Sequence, residues 1–125
     1  MEARERDIVY YEDERHCPFR EWHRGLRDGK ARAAVHARIT RFRHGNLGKL
    51  DPIGDGASES TIELGPGYRI YLVAYGNEVL LLVGGDKSSQ DTDIKNALSY
   101  WTKHKDRRAR ERKQLQLQIR PTRKP

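Results

Sequence analysis

The sequence has little of what staples or specialises a small fold. A single cysteine, Cys17, excludes an internal disulfide and any multi-cysteine zinc site. It reads as a half-buried bystander rather than a reactive thiol. The hydrophobic fraction is only 35%, against 34% charged, so there is apolar material for one modest core and some of the chain is left to solvent. No run of 18 apolar residues exists, which excludes a membrane-spanning helix. Met1 to Tyr10 carries Glu2, Glu5 and Asp7 and has no apolar stretch of the kind a secretory signal needs. These absences together point to the cytoplasm. The five histidines, at 16, 23, 36, 44 and 104, are scattered without ligand spacing, so neither a metal nor another cofactor is expected.

What is present is positive charge, unevenly spread. The net charge is +7, yet residues 102–125 hold ten Lys or Arg and two acids, so the rest of the chain is close to neutral. Within that body one stretch is basic: Lys30, Arg32, Arg38, Arg41 and Arg43, with no acid between them. Such a distribution is either a solvated surface or one that contacts phosphates, where each neutralised phosphate releases counterions.

Periodicity then outlines the elements. Asp7 to Tyr11 reads as a short strand. Pro18 suits a first helical turn, and Phe19, Trp22 and Leu26 lie on one helical face. Asp28 can cap a second helix over Gly29–His44, whose inward stripe is Ala31, Val35, Ile39 and Phe42. Gly45-Asn46 ends it. Leu47 to Ala57 is rich in Gly, Asp and Pro and reads as a loop. Ser58–Leu64 and Tyr68–Tyr75 read as strands joined at Gly65-Pro66-Gly67. Gly76-Asn77 signals a tight hairpin into Val79–Val83, which is apolar at every position and so buried on both faces. A polar loop over Gly84–Gln90 precedes a last helix from about Asp91, with Ile94, Ala97, Leu98 and Trp101 on one face. The predicted order is β-α-α-β-β-β-α in an α+β domain of residues 1–105. Residues 106–125 form a basic tail that frays, continues the helix or orders on a partner, and Pro121 and Pro125 mark a disordered end.

Several segments resemble one family. They are Asp28-Gly29-Lys30-Ala31-Arg32, Arg38-Ile39, Gly45-Asn46-Leu47-Gly48, Gly54-Asp55-Gly56-Ala57-Ser58-Glu59, and Gly65-Pro66-Gly67-Tyr68-Arg69-Ile70-Tyr71. The clearest runs from Leu82-Val83-Gly84-Gly85-Asp86-Lys87 through Ser88-Ser89-Gln90-Asp91-Thr92-Asp93-Ile94-Lys95. From about Asp7 to Trp101 the chain resembles HigB-type killer proteins of the RelE/ParE superfamily, the toxins of type II toxin–antitoxin pairs. The resemblance implies a RelE-like fold: a small twisted, mainly antiparallel sheet with two N-terminal helices packed on it. It also implies a helix-turn-helix antitoxin of the HigA kind as partner, and metal-independent cleavage of mRNA on the translating ribosome.

Such cleavage lets the 2′-hydroxyl attack the adjacent phosphate, so a base, a charge stabiliser and an acid are needed. Alternation puts Tyr68, Ile70, Leu72 and Ala74 on the core face of their strand. Arg69, Tyr71, Val73 and Tyr75 then share an open face with Glu59, Thr61 and Glu63. On pattern alone Arg69 pairs with Glu63 or Glu59. By the resemblance Arg69 is instead the phosphate-binding catalytic residue, where a guanidinium fork suits growing charge. The resemblance likewise makes Lys87 the second phosphate contact or proton donor, presented by a turn at Gly84-Gly85. Gly85-Asp86-Lys87-Ser88 is not a nucleotide phosphate loop, because Leu81 and Asp86 stand where glycines are required. Asp91 reads as a helix cap, and Asp93 as either a helix-end charge or a catalytic base. Tyr71 is a candidate for base stacking or proton transfer. Arg38, Arg41, Arg43 and Lys49 are the RNA-binding candidates. Relatives commonly carry a basic residue where this chain has Thr61, and Glu63 adds negative charge nearby. Three alternatives therefore stand beside the nuclease: a ParE-like gyrase poison, a degenerate antitoxin-binding subunit, and a small nucleic-acid-binding domain worked by its basic tail.

Overall fold

A computed structural model describes residues 4–119, folded as a small α+β domain with a mixed sheet. Strand β1 spans Asp7–Tyr10, helix α1 Pro18–Gly25 and helix α2 Gly29–Arg43. Strands β2 (Asp51–Gly54), β3 (Ala57–Ile62), β4 (Tyr68–Tyr75) and β5 (Glu78–Asp86) follow, then a short 3-10 turn at Lys87–Ser89 and helix α3 (Gln90–Ile119). The sheet order is β1-β5-β4-β3-β2. β2 to β5 form successive antiparallel hairpins, and β1 pairs parallel with β5.

The starts of α1 and α2 are those the sequence predicts. Pro18 stands in the first turn of α1. The Asp28 side chain accepts from the Lys30 backbone N–H at 2.9 Å, satisfying one of the donors that a helix start leaves free. α2 stops where Gly45 takes φ +88°, and a side chain there would strike the Arg4 carbonyl.

β5 is central in every sense. Val79 and Leu81 join Ile62, Ile70 and Leu72 under α1 and α2, packed against Phe19, Val35, Ile39 and Phe42. Leu80, Leu82 and Val83 join Tyr71 and Val73 on the opposite face, under Ala97 and the apolar stripe of α3. All seven residues from Val79 to Gly85 are buried. Each fully buried aliphatic contributes on the order of 1.5–3 kcal/mol, so this strand anchors both layers.

Three expectations need correction. Leu47–Ala57 is not all loop: Asp51–Gly54 is an edge strand, paired with β3 through a turn in which Asp55 (φ +55°) and Gly56 (φ +84°) are both left-handed. Pro52 is tolerated there because an edge strand has one unpaired side. Second, the face that carries Arg69, Tyr71 and Val73 is not open. α3 covers it, leaving Tyr71 at 0% and Val73 at 3% exposure. Third, Gly84 and Gly85 do not form a turn. Both continue β5, and glycine is needed for close approach: a Cβ on Gly84 would lie 2.1 Å from the Trp22 ring.

The boundary drawn at 105/106 falls inside α3, which continues to Ile119; residues 120–125, with Pro121 and Pro125, lie outside the described residues. α3 is 30 residues long, roughly 45 Å, and is exposed along its length from residue 108 on. Its inner half is pinned to the β2–β3 turn: Trp101 Nε1 donates to the Asp55 carbonyl at 2.7 Å, and Lys105 pairs with the Asp55 carboxylate. No helix of the described residues is long and apolar enough to cross a membrane.

Two measurements test this packing. Gly84→Ala should lower unfolding free energy by about 2 kcal/mol or more, as overpacking does, and Trp22→Leu in the same chain should recover part of the loss. His104, 7% exposed and stacked on Trp101, is held below the ordinary imidazole value by burial, then by Arg107 and Arg108. The unfolded chain therefore takes up this proton first. Denaturant midpoints should fall as pH drops below about 6.5, and His104→Leu should flatten that part of the profile.

Candidate functional site

The open end of the β3–β4–β5 surface is where the sequence-derived residues gather. Thr61 and Arg69 are register partners across β3 and β4, and Arg69 is the partner of Gly85 across β4 and β5. Just past β5 the 3-10 turn lifts Lys87 into solvent. Its geometry is local: the Asp86 carboxylate accepts from the Ser88 N–H at 2.8 Å and from the Ser88 hydroxyl. That contact, more than any other, holds the Asp86 carboxyl below its usual range. Arg69 and Lys87, eighteen residues apart in sequence, line one cleft of about 410 Å³ with Thr61, Glu63 and the Gly65-Pro66-Gly67 turn.

A second, smaller hollow adjoins it, and Thr61 lines both. Arg38 and Arg41 from α2 and Lys49 from the following loop converge there. Arg38 is half-buried and structural as well as basic: it donates to Ser60 Oγ at 2.8 Å and to the Thr61 carbonyl at 3.0 Å. Burial, and secondarily Arg41, press its guanidinium below the ordinary arginine value. Arg43 is not part of this group. Arg41 lies about 60° from Arg38 around the helix and Arg43 about 140°, so Arg43 looks elsewhere.

Arg69 itself is engaged. Its side chain is 13% exposed, Nε lies 3.0 Å from Glu59 Oε1, and Nη1 donates to the Gly67 carbonyl at 2.9 Å. The Nε–H is not aligned on the carboxylate, so the pair is an ion contact without a directed hydrogen bond through that atom. Glu59 is 7% exposed and also accepts from Gln90 Nε2 at 2.8 Å and from the Tyr71 hydroxyl at 3.2 Å. The cross-strand pairing that the alternation pattern offered for Arg69 is thus present, with Glu59 as the partner. It is largely buried, unlike the surface pair foreseen.

Tyr71 sits beneath α3 at 0% exposure, and burial, then Glu59, raises its phenol. Stacking on an incoming base is closed to it. Asp93 occupies the space where a side chain on residue 85 would be, with Oδ2 1.8 Å from that position, on the face that Arg69 shares. Ser89 Oγ donates to it, and burial raises its carboxyl from the ordinary range. Asp91 is exposed in the first turn of α3, which begins at Gln90, so it is not the cap the sequence suggested; the capping carboxylate ahead of the helix is Asp86.

Sequence reasoning missed Gln90, Ser89 and Ser60 as supporting residues. Ser60 had a readable signal: a polar residue at an inward strand position must find a partner, and Arg38 supplies it. Gln90 and Ser89 had none, because their partners are set by where α3 docks. Among the described residues no group of three His, Cys, Asp or Glu could hold a metal.

An uncharacterized protein of Haemophilus influenzae (strain ATCC 51907 / DSM 11121 / KW20 / Rd) is 46% identical to the chain over 80 residues, which covers 63% of this chain and 81% of that protein. No family model and no solved structure matches the chain.

The Glu59–Arg69 contact makes a quantitative expectation. Removing one partner of a buried pair strands the other charge, so Glu59→Ala should cost about 3 kcal/mol. Glu59→Ala with Arg69→Ala should cost clearly less than the sum of the singles, measured by urea unfolding as a double-mutant cycle.

Proposed function

The chain belongs to one family with that Haemophilus influenzae protein, and we propose that it is a RelE-like, HigB-type toxin that cleaves mRNA without a metal, working in the cytoplasm and held in check by a helix-turn-helix antitoxin. The observation that carries the reading is the shared cleft of Arg69 and Lys87, with the Arg38, Arg41 and Lys49 hollow joined to it at Thr61. Two cations from separate strand ends facing one opening suit a phosphodiester, and the neighbouring arginines and lysine suit the phosphates on either side.

In this reading the RNA 2′-oxygen attacks phosphorus, a P–O bond forms, and the bond to the 5′-oxygen breaks. The products are a 2′,3′-cyclic phosphate and a 5′-hydroxyl. Arg69 and Lys87 stabilise the charge that grows on the phosphoryl oxygens, and Lys87, in solvent, supplies the proton to the leaving oxygen. The 2′-hydroxyl proton passes to a carboxylate, for which Asp93, beside the Arg69 register position with its carboxyl raised by burial, is the candidate. Tyr71 keeps only an indirect part, as a donor to Glu59.

One observation favours a second reading. Glu59 already neutralises Arg69, Glu63 lines the same cleft, and Thr61 brings no charge. A toxin-derived subunit that binds an antitoxin without cutting RNA has the same features. Expression in a growing bacterial culture separates the two. The nuclease reading expects growth arrest with transcripts cut inside translated codons, and Lys87→Ala, at an exposed position, should reduce cleavage about 100-fold with unchanged unfolding. Arg69→Lys, which keeps the charge and loses the fork, should impair cleavage similarly. Arrest with wild-type potency in both variants removes the assignment. No arrest from the wild-type chain supports the non-catalytic subunit, and arrest with intact transcripts and induced DNA damage supports gyrase as the target.

A further inference from the structure

Past Trp101, α3 carries a charge pattern that the cleft does not use. Between Lys103 and Lys113 there are seven Lys or Arg and two acids. Two of the cations are paired with the body, Lys105 with Asp55 and Arg108 with Glu78. Lys103, Arg107 and Arg110 are not: among the described residues no carboxylate lies within ion-pair distance of them. They follow one another at i, i+4 and i+7, one stripe of the helix. Arg15, from the segment between β1 and α1, faces them across a cleft of about 410 Å³, with Asp13 and Glu14 on its rim. Arg107 lies over the Tyr11 ring at 5.7 Å, which holds the middle of the stripe in place.

This helix needs a reason to project. A stretch of about a dozen residues outside the body is marginal as an isolated helix, and like charges along it add repulsion. A polyanion laid along the stripe relieves both. From Lys103 to Arg110 the stripe has no exposed large apolar side chain, Tyr11 being 2% exposed, so backbone charge is what this part of it can read; the exposed Leu115, Leu117 and Ile119 lie more than a turn beyond it. The helix start, at Gln90, is next to the Arg69 cleft through its bond to Glu59. Lys103 is thirteen residues further on, roughly 20 Å away, too far to touch the same phosphate.

We propose that Lys103, Arg107 and Arg110, with Arg15 opposite, form a second RNA-binding surface that grips the phosphate backbone of single-stranded RNA without reading its sequence. The proposal takes RNA as the ligand from the reading above but does not depend on cleavage. The test measures binding of the full chain to a labelled 20-nucleotide single-stranded RNA across a salt series, with Lys103→Gln, Arg107→Gln and Arg110→Gln combined. Three lost phosphate contacts should lower affinity at least about tenfold and reduce the slope of log K against log salt by about 2. The double variant Lys103→Gln with Arg110→Gln leaves Arg107 on Tyr11, protects the fold, and should reduce the slope by about 1.4. An unchanged slope in both variants overturns the proposal, as does a wild-type chain that binds an acidic polypeptide such as polyglutamate but not RNA. A lost slope in a chain that never cuts RNA leaves this surface standing and removes the nuclease alone.

Discussion

The molecule is organised by the double burial of one strand. β5 is apolar from Val79 to Val83 and has helices on both sides, so a single strand serves two cores. Gly84 and Gly85 follow within the same strand, and the two glycines admit neighbours from opposite faces: the Trp22 ring presses on the first, the Asp93 carboxylate on the second. The sheet can therefore take α1 on one side and the start of α3 on the other at the same level. That level is also where β4 presents Arg69, as the register partner of Gly85. Packing and candidate chemistry meet because the same two residues have no side chains.

The dominant electrostatic feature at this point is a balance. Arg69 is held by Glu59, and Glu59 in turn accepts from Tyr71 and Gln90, so a largely buried carboxylate is satisfied by three residues from two elements, β4 and α3. Such a network holds the guanidinium in one place but spends part of its charge inside the protein. A phosphate entering the cleft would compete with Glu59 for the same group, whereas Lys87 on its turn is unencumbered. The two cations thus differ in kind: one positioned and partly neutralised, one exposed and free to move.

The cationic surfaces differ in a similar way. Around Thr61 the basic residues come from α2, the following loop, β4 and the turn after β5, and they meet at a stretch of β3 past Glu59, where its pairing with β2 has ended. Along α3 three of them come from one helix, with Arg15 facing them from the segment after β1. The first arrangement is compact, with Glu59 and Glu63 among its cations; the second is extended, with Asp13 and Glu14 at its rim. A compact site suits a single phosphodiester, and an extended stripe suits a backbone.

Much of this was legible in the residues alone. Helical spacing located α1, α2 and the apolar stripe of α3. Asp28 and Gly45 marked the ends of α2, and five consecutive apolar residues announced the buried strand. These features rest on local rules of period and cap, which act within a few residues. Alternation also assigned Arg69, Tyr71 and Val73 to a common face correctly. What alternation could not supply is the element lying over that face, so Tyr71 was expected in the open and is sealed under α3. The β2 edge strand was hidden because Pro52 and three glycines argue for a loop until a neighbouring strand offers its hydrogen bonds. Whether Arg69 would meet Glu63 or Glu59, whether Lys87 would share its cleft, and whether Arg43 would join Arg38 are matters of tertiary distance. They depend on how three layers dock, and only the folded chain, through the bulky Trp22 and the two bare positions of β5, decides that spacing.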